Sequence, residues 1–223
     1  MPTARLVTTK DVVDPAGVVL VLHGGARRRG RRMVSPAQLS VLRMVPIARR
    51  IAFAGRGRIA VHRLLNSSRG WDTTHTPVMD VEWALTELEQ RYGDAPVALV
   101  GHSLGGRAAL LAGHGDRVVG VVALNPWLSG DEAPDLRGRR MLVVHGDQDR
   151  IASPRRSAVV VERVRSRAEV ALVLVGGGRH AMVRHRRRFE RYAAEMVALV
   201  LLDRQPRSAA LRAALAGQPV VED

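Results

Sequence analysis

Six short runs of apolar, largely β-branched residues recur along the chain, at Val18–Leu22, Ile59–Leu64, Val97–Val100, Val118–Leu124, Met141–His145 and Val170–Val175. Within each run the apolar character is continuous rather than alternating, so both faces of each strand expect cover. Between the runs, apolar residues return every three or four positions. This spacing predicts helices over Ser35–Ala54, Pro77–Tyr92, Leu104–Gly113, Pro154–Arg167 and Ala181–Leu202. The second opens on a proline suited to a first helical turn and stops at Gly93. Strands alternating with helices make βαβ units, so the expected class is α/β: a single doubly wound, mostly parallel sheet flanked by helices. An antiparallel edge strand is expected around Arg5–Thr9. Residues 1–203 are expected to form the domain, with 204–223, rich in Ala, Pro and Gln, as a short helix and a loose C-terminal tail.

Composition narrows the function. At 223 residues, 46% hydrophobic and 25% charged, the chain has the apolar content for one ordinary core. It contains no cysteine, which excludes disulfides, thiolate-ligated metal and a thiol nucleophile. Runs such as Val118–Leu124 and Met196–Leu202 are far too short to span a bilayer, and no basic stretch leads into an apolar segment at the N-terminus. No membrane span and a cytoplasmic location are therefore expected. Lys and Arg number 35 against 21 Asp and Glu, a net charge of +14, and Lys10 is the only lysine. Arginines cluster at 27–29 with 31 and 32, at 155–156, and at 184 with 186–188. Such a surface attracts polyanions, but with 3% aromatic residues and no zinc-finger, RNP or helix-turn-helix signature, no specific nucleic-acid partner is expected.

The sharpest chemistry lies in Gly101-His102-Ser103-Leu104-Gly105-Gly106, between a strand and a helical pattern. G-x-S-x-G in that context is a nucleophile elbow, a tight turn that lifts a serine hydroxyl above the sheet at the head of a helix. Serine needs a base to activate it and a third group to orient the base. In chain order an acid and then a histidine are expected. Asp149 follows the run Met141–His145, and His180 follows Val170–Val175 behind three glycines. All three would then stand at the carboxyl edge of one sheet. An oxyanion hole needs two backbone N–H groups, one from Leu104 and one from the loop His23-Gly24-Gly25 after Val18–Leu22.

HGG at 23–25, GHSLGG at 101–106, HGDQD at 145–149 and the glycine-flanked His180 together resemble the α/β-hydrolase fold family over roughly residues 15–202. Arg69-Gly70-Trp71 followed by Pro77, Asp80 and Trp83 looks like a subgroup of small bacterial members. The resemblance implies a serine hydrolase with Ser103 as nucleophile, His180 as general base and Asp149 as its orienting acid. Gly25 and Leu104 would be the oxyanion donors. It implies no cofactor and no metal, and a small-molecule acyl substrate held in a covalent acyl-serine intermediate. A catalytically silent binding protein, or an acyltransferase or thioesterase on the same triad, are the alternatives.

Several residues carry a rival reading. Asp147 competes with Asp149, and His145, Asp147 and Asp149 alternate as metal ligands would in an extended segment. His145 is nonetheless expected to pack at its strand end. His185 is a weaker base candidate than His180, and His23 and His102 are expected to hydrogen-bond locally. Gly24, Trp71 and Trp127 are candidate pocket residues, whereas Trp83 shares a helical pattern with Val81, Leu85 and Leu88 and is expected in the core. The connection Asn125–Arg140 leaves room for a short helix and no lid. Arg27–Arg32 and Arg184–Arg188, if they flank the site, would favour an anionic substrate.

Overall fold

The computed structural model describes residues 3–25, 34–72, 74–218 and 221–222. Strands β1 (Arg5–Lys10), β2 (Gly17–Leu22), β3 (Ile59–Leu65), β4 (Val97–His102), β5 (Val118–Leu124), β6 (Arg140–Gly146), β7 (Glu169–Val175) and β8 (Val221–Glu222) form one sheet in the order β1-β3-β2-β4-β5-β6-β7-β8. Every neighbouring pair is parallel except β1 with β3, the expected antiparallel edge. The helices are α1 (Leu39–Leu42), α2 (Met44–Ala54), α3 (Thr76–Tyr92), α4 (Leu104–Leu111), α5 (Pro154–Val164), α6 (Arg186–Leu202) and α7 (Ala209–Leu215).

Successive side chains of each strand enter opposite cores, which is why the strands read as continuous apolar runs. Val19, Val21, Ala98, Val100, Val122 and Leu124 join the core built with α2, α6 and α7. Val18, Leu20, Leu22, Leu99, Val121 and Ala123 join the opposite core, built with α3, α4 and α5. Residues 204–223, expected as a short helix and a loose tail, form α7, whose Leu211 and Ala214 are fully buried, and then β8, which pairs with β7.

Several helical boundaries and one side chain differ from expectation: α4 stops at Leu111 and α5 at Val164, two and three residues early. The Ser35–Ala54 stretch begins its helices only at Leu39. The stretch expected from Ala181 begins at Arg186, because the chain first turns through Met182, at φ 58°, with that side chain buried in the core. Trp83 is 38% exposed. It stands about 100° of helix away from the buried stripe of Val81, Ala84 and Leu88, so it faces out.

The loops after β2, β3, β4, β5, β6 and β7 all leave the carboxyl edge of the sheet, where open α/β folds build their sites. Among the described residues β5 and β6 are joined by residues 125–139 without a helix or an inserted domain.

Candidate active site

Ser103 sits between β4 and α4 with φ 56° and ψ −120°, a conformation that a non-glycine residue adopts only when its surroundings enforce it. Neighbouring residues enforce it here. The Ser103 N–H donates to the Leu124 carbonyl (3.0 Å), and its own carbonyl accepts from Arg107 N–H and Trp127 N–H, each at 3.1 Å. Gly101 makes the turn sterically possible, since a Cβ there would collide with the Gly105 carbonyl across the elbow.

Three of the residues singled out in the sequence converge. His180 Nε2 is 2.9 Å from Ser103 Oγ, and His180 Nδ1 is 2.7 Å from Asp149 Oδ2. Asp149 Oδ1 accepts the backbone N–H groups of Ile151 (2.8 Å) and Ala152 (2.9 Å), so both carboxylate oxygens are engaged. Burial alone would raise the Asp149 carboxyl. Hydrogen bonds from His145, His180, Ala152 and Ile151 outweigh it and hold the group well below the usual carboxylate range. With Asp149 ionised, His180 carries its proton on Nδ1 and leaves Nε2 free to accept from the serine hydroxyl.

Asp147 is exposed and takes no part in this contact, and the alternation of His145, Asp147 and Asp149 therefore does not converge on one point. Among the described residues no group of three or more His, Cys, Asp or Glu is placed to hold a metal ion. His185 sits at the head of α6, with its ring beside Gly177 rather than at Ser103. His23 Nδ1 donates to the Gly24 carbonyl (2.6 Å) and its Nε2 accepts Asn66 N–H (3.2 Å), a local role as expected; burial lowers its pKa.

The loop after β2 reaches the serine. A Cβ on Gly24 would stand 3.1 Å from Ser103 Cβ, and one on Gly25 would collide with the Arg69 carbonyl and lie 3.2 Å from Leu104 Cδ1. Glycine is thus required at 25 by close packing between two loops. No described residue takes the N–H of Gly25 or of Leu104. The cluster Arg27–Arg32 lies outside the described residues. Arg184, Arg186 and Arg187 are exposed on the segment after His180.

Three residues given no role in the sequence matter to this geometry, and so does His102, which was expected to hydrogen-bond locally but reaches a carbonyl 78 positions away. Asn125, fully buried at φ 42°, donates Nδ2 to the carbonyls of Arg179 and His180 (3.1 Å each) and accepts Gly146 N–H at Oδ1 (2.8 Å). His102 Nε2 also donates to the His180 carbonyl (2.8 Å). Burial, followed by the neighbouring His180, pushes the His102 ring down to about 3, so it is neutral in ordinary buffers. The loop bearing His180 is therefore held from beneath by one residue of the elbow and one at the end of β5. Arg107 and Glu132 join the two candidate pocket tryptophans: the Arg107 guanidinium lies 4.6 Å from the Trp71 ring centre and 5.5 Å from that of Trp127, with Nε 2.9 Å from Glu132 Oε1. The signal for Asn125 was its type, a short amide that tolerates positive φ and offers both a donor and an acceptor.

Comparisons with known proteins bear on the fold. A family profile described as the alpha/beta hydrolase fold matches residues 65–158. Est1E from Butyrivibrio proteoclasticus superposes with a TM-score of 0.66 at 16% identity, covering 90% of this chain and 94% of its own. XC6422 from Xanthomonas campestris, described as an α/β serine hydrolase without a lid, gives 0.63 at 16% identity over 92% and 90%. The Pyrococcus furiosus esterase Pf2001 gives 0.66 at 15% identity over 84% of each chain. No curated protein matches the chain by sequence. The strand order, the elbow at Ser103 and these likenesses together give the chain the α/β-hydrolase fold, with no lid domain inserted between β5 and β6 among the described residues.

Proposed function

We propose that this chain is a serine hydrolase that cleaves a carboxylic ester or a related acyl bond through an acyl-serine intermediate. The single observation that carries the reading is the continuous contact from Ser103 Oγ through both nitrogens of His180 to Asp149. His180 Nε2 takes the hydroxyl proton as Oγ attacks the acyl carbon, and Asp149 stabilises the resulting imidazolium. Gly25 and Leu104 N–H groups receive the oxyanion, helped by the positive end of α4. His180 then passes the proton to the departing alcohol oxygen. A water, deprotonated by His180, attacks the acyl-enzyme, and the acid leaves as Ser103 regains its proton. The neighbours described as esterases, Pf2001 among them, favour an ester over other acyl bonds.

The test is labelling by a fluorophosphonate probe. Purified wild type is expected to label and to lose the label in Ser103→Ala, with circular dichroism unchanged between them. Absence of labelling from folded wild type, or equal labelling of the variant, overturns the reading.

A further inference from the structure

Arg107 differs from the arginines that hold this fold together. Arg117 spends its two terminal nitrogens on the carbonyls of Gly93, Ala95 and Leu85. Arg139 does the same with Arg137, His114 and Gly115, and Arg204 reaches the Ala54 carbonyl. In Arg107 only Nε is engaged, against Glu132; no described residue hydrogen-bonds to Nη1 or Nη2, and neither is sealed from solvent. Yet the side chain is only 15% exposed and cannot wander, because Trp71 and Trp127 both lie against its guanidinium.

Its position matters as much. Arg107 stands one helical turn from Ser103, whose carbonyl accepts both its N–H and that of Trp127. The two tryptophans come from different loops of the carboxyl edge, after β3 and after β5. Glu132 does not cancel the guanidinium for an incoming ligand. Its carboxylate is 3% exposed and already accepts Ser129 N–H, Ser129 Oγ and Gly130 N–H. A guanidinium fixed by two aromatic faces and one carboxylate has given up its rotamer freedom in advance, and its open fork matches the two oxygens of a carboxylate. On the opposite layer, half-buried Arg43 is a second cation near the elbow, close enough to lower the pKa of His102.

We infer that Arg107 is the specificity-determining residue of this site and that the substrate is an ester bearing a carboxylate, bound by Nη1 and Nη2 in the Trp71–Trp127 clamp. The inference rests on the serine-hydrolase reading and deepens it. Its test compares matched esters that differ only in that charge. For an acyl-side carboxylate the pair is the p-nitrophenyl monoester of glutarate against its methyl-capped diester. For an alcohol-side carboxylate the pair is the butyrate ester of 4-hydroxybenzoate against that of its methyl ester.

Wild type is expected to prefer the carboxylate in one of the two pairs by about tenfold or more in kcat/KM, mainly through KM. Arg107→Gln should bring the ratio close to one, and Arg107→Lys, which keeps the charge and loses the fork, should fall between. A wild-type ratio near one in both pairs, a ratio that survives Arg107→Gln, or one abolished instead by Arg43→Gln overturns the assignment. Should Arg107→Gln misfold for want of a partner for Glu132, the double variant Arg107→Gln with Glu132→Gln replaces it. If wild type hydrolyses nothing and takes no fluorophosphonate, the hydrolase reading has failed by itself. Calorimetric binding of glutarate to wild type, lost in Arg107→Gln, then still supports the anion site, and no binding to wild type overturns it.

Discussion

His145 Nε2 lies 3.3 Å from Asp149 Oδ2, the oxygen that also stands 2.7 Å from His180 Nδ1. One carboxylate oxygen is shared by two imidazoles, one locked in the sheet and one on the loop that reaches the serine. His145 Nε2 also faces the Ala152 carbonyl (3.1 Å), and Nδ1 faces the Ser157 hydroxyl (2.9 Å). This pattern assigns its proton to Nε2, with Ser157 donating to Nδ1. His145 thus does more than pack at a strand end: it holds the carboxylate that meets His180.

Replacing it tests that link. His145→Leu leaves Ser157 Oγ and the Ala152 carbonyl unpartnered and is expected to cost about 1–3 kcal/mol of stability. The Asp149 carboxyl, losing a donor, moves up toward its ordinary value of 3.8. A carboxyl depressed in the folded state contributes stability that is complete above 3.8 and fades as pH falls below it toward the folded value. The gap between wild type and variant in urea midpoints should therefore narrow below about pH 3.8. A gap that stays constant with pH would reduce His145 to packing alone.

Gly101→Ala probes the elbow. The new methyl would meet the backbone of Gly105 and Gly106, which no rotamer change can relieve. Destabilisation of about 3 kcal/mol or more is expected, above the usual cost of overpacking because backbone must move. Thermal unfolding followed by circular dichroism measures it, and a variant as stable as wild type would mean the turn is looser than its geometry.

What was legible in the sequence was what periodicity and local turn chemistry encode. The six apolar runs became β2 to β7 because burial on both faces leaves no polar alternation to blur them. That Ser103, Asp149 and His180 come together was readable because each follows a strand at a glycine-marked loop. Trp83 lies outside the core because its spacing to Leu85 and Leu88 admits two helical faces, and only the docking of α3 selects Val81, Ala84 and Leu88. The contacts of Asn125 and Arg107 were not legible. Their roles depend on partners 54, 55 and 25 positions away, Arg179, His180 and Glu132, which nothing local specifies.

Acid stability should reveal a histidine far from the active site. His62 is buried between Thr8 Oγ1 (3.2 Å) and Tyr92 OH (2.8 Å). Burial, with a smaller push from Arg91, brings its pKa down to about 4. The unfolded chain takes up this proton near 6.5 while the folded chain refuses it until about 4, so stability falls as pH drops through that window. The loss approaches roughly 1.4 kcal/mol per pH unit for each such group. His102, held neutral to about 3, adds to the same slope. Urea midpoints from pH 7 to pH 4.5 should decline, and less steeply in His62→Gln. Parallel slopes would show that His62 protonates freely in the native state.

Asn125 offers the most direct test of how the base is held. Its amide joins the end of β6, through Gly146 N–H, to the carbonyls of Arg179 and His180. His102 supports the same His180 carbonyl from the elbow, so neither residue alone carries the loop. Asn125→Ala removes three hydrogen bonds and leaves Gly146 N–H buried and unpaired, a cost of about 1–3 kcal/mol. With His180 less well placed against Ser103, kcat and the rate of fluorophosphonate labelling should fall about tenfold or more, with KM little changed, since Asn125 is fully buried and meets no substrate. Asn125→Asp keeps the acceptor for Gly146 and loses the donors to the loop. It should lose rate as Asn125→Ala does while recovering the Gly146 pairing. Full activity in Asn125→Asp would show that the grip on β6, and not on the His180 carbonyl, sets the geometry of the base.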